Sequence, residues 1–300
     1  MISDKISKYY TLISSIKDAN IERTYIFMPN DDYAKMTDSL EVSKIYWHEM
    51  LCRAHIVVLV SLFRTKRWLD SINATRLEYY GFCSSLRGMI ESVADSFYTL
   101  QSVPLTIAHD FYTINKILQK ESSVLIHHEK LENTLLHFIQ ATKLSQTQRQ
   151  GYPSFYNAKQ TKEYLESIKE ISDGRLVFLY DTLCQISHPA YESNSLFLFK
   201  PDNRTIVCSD SEAMEESLIN AMLKSFSNDI EHLFNVYMVN CISTIQCLNK
   251  FNIVDFMTSP ELINDLPNPG LGEIDNLINN SKAIYERDLA IGKRGASSTR

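Results

Sequence analysis

Glycine and proline are scarce in this chain, with eight of each in 300 residues. Loop-rich β folds and dinucleotide-binding folds draw heavily on both, so the shortage disfavours both classes. An excess of charge of one sign is also lacking. Thirty Lys and Arg against thirty-six Asp and Glu leave −6 at pH 7, with a pI near 5.8. The whole chain is therefore no polyelectrolyte binder of nucleic acid or anionic membrane. Its six cysteines (Cys52, Cys83, Cys184, Cys208, Cys241 and Cys247) contain no CxxC pair. They read as reduced, mostly buried thiols of a cytosolic protein. Long hydrophobic runs are missing too. The longest apolar stretch, residues 54–63, is broken by His55 and Ser61, whereas a bilayer span needs about 20 apolar residues. It reads as a core helix, and no membrane partner is expected. Asp4 and Lys8 interrupt the N-terminus where a signal peptide would be apolar, so a cytoplasmic location is expected.

Hydrophobic residues make up 44% and charged residues 22%, a globular composition, and the apolar positions repeat with helical spacing. Ile6, Tyr9, Ile13 and Ile16 predict a helix over residues 2–18, followed by an irregular segment over 21–40. Long helices are predicted over 41–69 and 72–102. The second carries the stripe Leu86, Ile90, Val93, Phe97 and Leu100, with Pro104 closing it. Further helices are expected over 105–119, 122–144, 157–172 and 174–187, with a polar linker at 146–153 and a stop at Pro189. Ser195-Leu-Phe-Leu-Phe-Lys, a turn at Pro201-Asp-Asn-Arg, and Thr205-Ile-Val-Cys read as a β-hairpin. Ser211 starts a helix to about Asn249, prolines at 260, 267 and 269 break the chain, and a last helix covers 271–290. The expected fold is all-α, a multi-helix bundle with one inserted β-hairpin. The expected domains are an N-terminal helix and irregular segment (1–40), a helical bundle (41–250) with the hairpin near 195–208, and a helical extension with a mobile tail (251–300).

No P-loop, GxGxxG, HExxH, GxSxG or EF-hand occurs, and no Glu-x-x-His pair, which argues against a di-iron bundle. No cofactor and no metal is expected. The strongest constellation joins two helices. Arg87, Glu91 and Asp95 fall at i, i+4 and i+8, and Asp181, Cys184 and His188 at i, i+3 and i+7. An Arg, carboxylates and a His at a helix C-terminus suit phosphate binding and proton transfer. Arg87, Glu91, Asp181 and His188 are the catalytic candidates; a purely structural polar network is the other reading. Cys184 and His188 also admit a thiol–imidazole dyad, with an inert buried Cys as the alternative. Residues 50–90 hold six basic side chains against two acidic ones. Arg53, Arg64, Arg67 and Trp68 are the candidate binding patch for RNA or another acidic partner, or else a solvated helix end. His48 and His55 read as core histidines. His127, His128, Glu129 and Glu132 supply at most two metal ligands on one helix.

At Leu86-Arg-Gly-Met-Ile-Glu-Ser-Val-Ala-Asp and Tyr180-Asp-Thr-Leu-Cys-Gln-Ile-Ser-His-Pro the chain resembles uncharacterised bacterial proteins of the HEPN-like group. These are helical bundles in which an Arg/Glu helix faces a helix ending in His. The resemblance covers about residues 45–200 and includes Pro153-Ser-Phe-Tyr-Asn-Ala-Lys. It implies association with RNA or a nucleotide, often in toxin–antitoxin or antiviral defence systems, commonly as a dimer. The ribonuclease members carry an Arg shortly ahead of the His. Here the nearest upstream Arg is Arg175, with twelve residues between.

Three functions follow as expectations. The first is a HEPN-like protein that binds RNA, a nucleotide, or a protein partner such as a second copy. The second is a metal-independent endoribonuclease using His188 and Arg87. The third is a structural interaction subunit assembling through the hairpin and C-terminal helix.

Overall fold

The structure is a computed structural model that describes residues 4–122, 124–189, 191–195, 197–199, 204–208, 212–251, 253 and 271–297. In chain order its α-helices are α1 (Asp4–Asn20), α2 (Asn30–Tyr33), α3 (Ser39–Ala74), α4 (Tyr79–Leu100), α5 (Val103–His109), α6 (Phe111–Leu118) and α7 (Glu129–Gln140). They continue with α8 (Thr161–Ile168), α9 (Arg175–Ser187), α10 (Tyr191–Ser195), α11 (Glu212–Asn249) and α12 (Leu271–Ser297). Strands β1 (Leu198–Phe199) and β2 (Val207–Cys208) pair antiparallel, Leu198 opposite Cys208. The fold is all-α, a multi-helix bundle with one short β-hairpin. Its turn residues 201–203 lie outside the described residues, as do Ser211 and the prolines at 260, 267 and 269.

Two compact units are present. The first comprises residues 1–15, 61–98 and 159–238 and the second residues 16–60, 99–158 and 239–300. In the first, α4 buries Phe82, Leu86, Met89, Ile90 and Val93, and α9 buries Leu176, Leu179, Leu183 and Ile186. Both are stripes at helical spacing. In the second, α12 packs on α5 and α6, and Trp47 is fully buried with its indole N–H donating to the Ile126 carbonyl at 3.1 Å. Helix α3 is long and apolar enough to cross a membrane, yet its most apolar stretch is 67% buried inside the protein, as a core helix is.

Several boundaries differ from the sequence expectations. The helix expected over 122–144 starts only at Glu129. Ahead of it Lys120 is left-handed (φ 59°) and Ser122 closes a local turn on Val124. The Ile126 carbonyl and His128 N–H are met by the side chains of Trp47 and Tyr46, so this backbone is satisfied without a helix. The helix expected over 105–119 is two, bent at Asp110, whose φ of −100° and ψ of 11° are non-helical. Pro104 opens α5, as its fixed φ allows in a first turn. Helix α12 runs on to Ser297 through the segment expected to be a mobile tail, since extending a helix needs no new nucleus.

Candidate functional site

Within the first unit, the flank of α4 beside its buried stripe carries Ser84, Arg87 and Glu91, and α9 lies against it. Helix α9 begins after a sharp reversal in which Asp173 (φ 48°) and Gly174 (φ 78°) are both left-handed. With its leucines buried, its edge presents Tyr180 and Cys184. The helix ends at His188, whose backbone is extended (φ −105°, ψ 157°), as a residue before proline prefers. Its N–H still donates to the Cys184 carbonyl at 3.0 Å.

Four side chains meet there. Arg87 Nε donates to Glu91 Oε1 at 3.2 Å, and the Tyr180 hydroxyl donates to the same oxygen at 2.6 Å. Arg87 Nη1 lies 3.4 Å from His188 Nε2. A guanidinium only donates, so Nε2 is the acceptor and the ring proton of that pairing sits on Nδ1. At 3.4 Å the contact is long, loose enough to exchange for a ligand. Ser84 and Ser187 hydroxyls touch at 3.5 Å beside it. Burial pushes the Tyr180 phenol above its ordinary range, and its bonds to Glu91 and Cys184 add to this, so it remains a donor. Burial works against the Arg87 charge, but the Glu91 carboxylate prevails and raises the guanidinium further. Both side chains keep solvent access, at 26% and 32%.

Of the catalytic candidates, Arg87, Glu91 and His188 are thus together. Asp181 is exposed and takes no part. It lies one residue, about 100° of helical turn, beyond Tyr180, and Tyr180 holds the position expected for it. That face was visible in the i, i+4, i+8 spacing of Tyr180, Cys184 and His188. The Cys184 thiol lies beside Tyr180 and helps to raise its phenol.

The basic candidates divide between the units. Arg53, in the second, pairs with Glu49 at 2.9 Å and stacks on Phe27 at 5.1 Å. Arg64, Arg67 and Trp68 are in the first. Arg64 pairs with Asp95 at 2.9 Å and reaches the Ser92 hydroxyl at 3.2 Å. Arg67 is exposed. Trp68 lays the outer edge of its ring on Gly88, where an added Cβ would sit 2.4 Å from Cη2. Gly88→Ala is therefore expected to destabilise by about 1–2 kcal/mol, overpacking outweighing the gain in helix propensity. Trp68→Leu in the same chain is expected to reverse the sign, since it frees the space. Urea unfolding of both single variants and the double variant checks this; additive effects would contradict the contact.

Among the described residues, the histidines outside this face have partners, except the exposed His232. His55 is fully buried with its Nδ1 2.7 Å from the Tyr25 hydroxyl. His127 pairs with Glu132 at 3.3 Å, while His128 turns to Asp110. Asp110 also takes His109 Nδ1 at 2.8 Å, a cluster that sequence spacing did not single out because His128 joins it from eighteen residues away. Among the described residues no three His, Cys, Asp or Glu side chains are grouped to hold a metal. Compared with protein-family models, curated proteins and solved structures, the chain matches none.

Proposed function

We propose that this is a HEPN-like cytoplasmic protein that binds RNA or a nucleotide at the Arg87–Glu91–Tyr180–His188 face, within a bacterial defence or stress module such as a toxin–antitoxin pair. A module of this kind brings a protein partner or a second copy with it. The observation that carries the reading is the approach of Arg87 Nη1 to His188 Nε2 on a solvent-accessible face. Among the described residues the Arg87 Nη2 group has no partner, which leaves N–H donors for a phosphate oxygen. Glu91 and Tyr180 fix the guanidinium in place. They also compensate its charge, so affinity must come from several contacts rather than from bulk attraction.

The same contact favours a second reading, a metal-independent endoribonuclease. His188 would take the proton of a 2′-hydroxyl as it attacks the neighbouring phosphorus. The P–O5′ bond would break to leave a 2′,3′-cyclic phosphate, and the protonated His188 would return the proton to the departing 5′-oxygen. Arg87 would stabilise the charge gathering on the phosphate oxygens. The missing Arg close upstream of His188 counts against it. Incubation with total tRNA and a labelled RNA in EDTA separates the two. The binding reading expects no cleavage; scission lost in both His188→Ala and Arg87→Ala, with helicity intact by circular dichroism, establishes the enzyme.

A further inference from the structure

A cavity of about 640 Å³ opens within the first unit between α1, the end of α3, α4 and α11. It lies on the face of α4 formed by Phe82, Leu86 and Met89, apart from the flank that carries Arg87. Its lining mixes buried apolar residues, with Leu69, Phe82 and Met89 each 2% exposed and Ile219 3% exposed, and exposed polar ones such as Thr11, Asn73 and Asn220. A volume of this size falls in the range of about 300–1,000 Å³ that small-molecule sites occupy. Left empty, an apolar void costs stability.

The mouth is charged in a particular way. Asp70 is satisfied by the Tyr10 hydroxyl at 2.6 Å and Lys66 at 3.0 Å. Arg76, on the turn between α3 and α4, and Glu216, on α11, also line the opening. Both are exposed, and neither side chain has a hydrogen bond or ion pair among the described residues. One free cation and one free anion thus stand on different elements above an apolar chamber. A ligand bearing a single charge would place it beside a like charge at this mouth, whereas a zwitterion meets both. Leu77, 60% exposed on the same turn, continues the apolar wall outward.

We propose that this cavity binds a single-tailed zwitterionic amphiphile of the lysophospholipid type, with the acyl chain in the chamber, the phosphate on Arg76 and the ammonium on Glu216. The inference does not rest on the proposed function, and its variants leave the Arg87–His188 face untouched.

The test is calorimetric titration of the full chain with dodecylphosphocholine, kept below its micelle concentration. Saturable one-to-one binding is expected. Arg76→Gln and Glu216→Gln should each weaken it about fivefold, the scale of one exposed charge pair, and Ser227→Trp, which puts an indole at the exposed rim, should block it. Dodecyl phosphate and dodecyltrimethylammonium should bind more weakly than the zwitterion, the phosphate weakened further by Arg76→Gln and strengthened by Glu216→Gln, the ammonium the reverse. Absence of saturable binding overturns the proposal. So does binding that all three variants leave unchanged, or a single-charge ligand that binds as tightly as the zwitterion.

Discussion

Glu49→Ala is expected to cost about 3 kcal/mol, the scale for removing one partner of a buried ion pair. Glu49 is 4% exposed. Its Oε1 accepts the Met28 N–H at 2.7 Å and its Oε2 accepts Arg53 Nη2 at 2.9 Å. Alanine would strand a guanidinium that is only 17% exposed and orphan a backbone donor at once. Glu49→Gln keeps an acceptor for Met28 and loses only the charge, so a smaller loss of about 1–2 kcal/mol is expected. Urea unfolding followed through Trp47, with Trp68 replaced by Phe, reads the unit that holds Glu49. A Glu49→Ala midpoint equivalent to less than about 0.5 kcal/mol would show that the pair is solvated after all.

Acidification is expected to destabilise the same unit well above the carboxylate range. Burial, with Arg23 adding to it, pulls the His55 imidazole from its ordinary 6.5 down to about 3. Burial holds the Tyr25 phenol up at about 12, so the hydroxyl donates and the neutral ring accepts. Above pH 6.5 both folded and unfolded chains carry a neutral His55 and the group contributes nothing to the pH dependence. Between about 6.5 and 3 the unfolded chain takes up a proton that the folded chain refuses. Stability therefore falls with falling pH by at most about 1.4 kcal/mol per unit. His55→Leu should flatten the curve between pH 6.5 and 5, a window in which Asp and Glu titrate little. Parallel wild-type and variant curves there would contradict the buried neutral histidine.

The pairing of α4 with α9 was legible in the sequence. Arg87 and Glu91 sit i, i+4 beside a buried stripe, and α9 stops where Pro189 requires an extended residue. The role of Tyr180 was not read, although its spacing to Cys184 and His188 was visible. A tyrosine next to buried leucines looks like packing until its hydroxyl finds a carboxylate 89 residues away. Asp181 was chosen for its charge. The residues buried by α9 rotate it to solvent, one position round the helix from Tyr180. The helix expected to begin at residue 122 begins at Glu129 for a similar reason. The Ile126 carbonyl and the His128 N–H are met by Trp47 and Tyr46, contacts that local periodicity does not encode. Trp68 shows the same limit: its sequence neighbours place it in a basic binding patch, while the outer edge of its ring rests on Gly88.

The central claim is that the Arg87–His188 face binds RNA phosphate. The most direct test is fluorescence anisotropy of a labelled single-stranded RNA with the intact chain, comparing wild type with Arg87→Ala and with Lys224→Ala, an exposed cation on α11 outside both candidate sites. Saturable binding is predicted, weakened about tenfold by Arg87→Ala, the scale of one charge-assisted phosphate contact, and little changed by Lys224→Ala. Equal affinity in wild type and Arg87→Ala, or no binding by the wild-type protein, would contradict it.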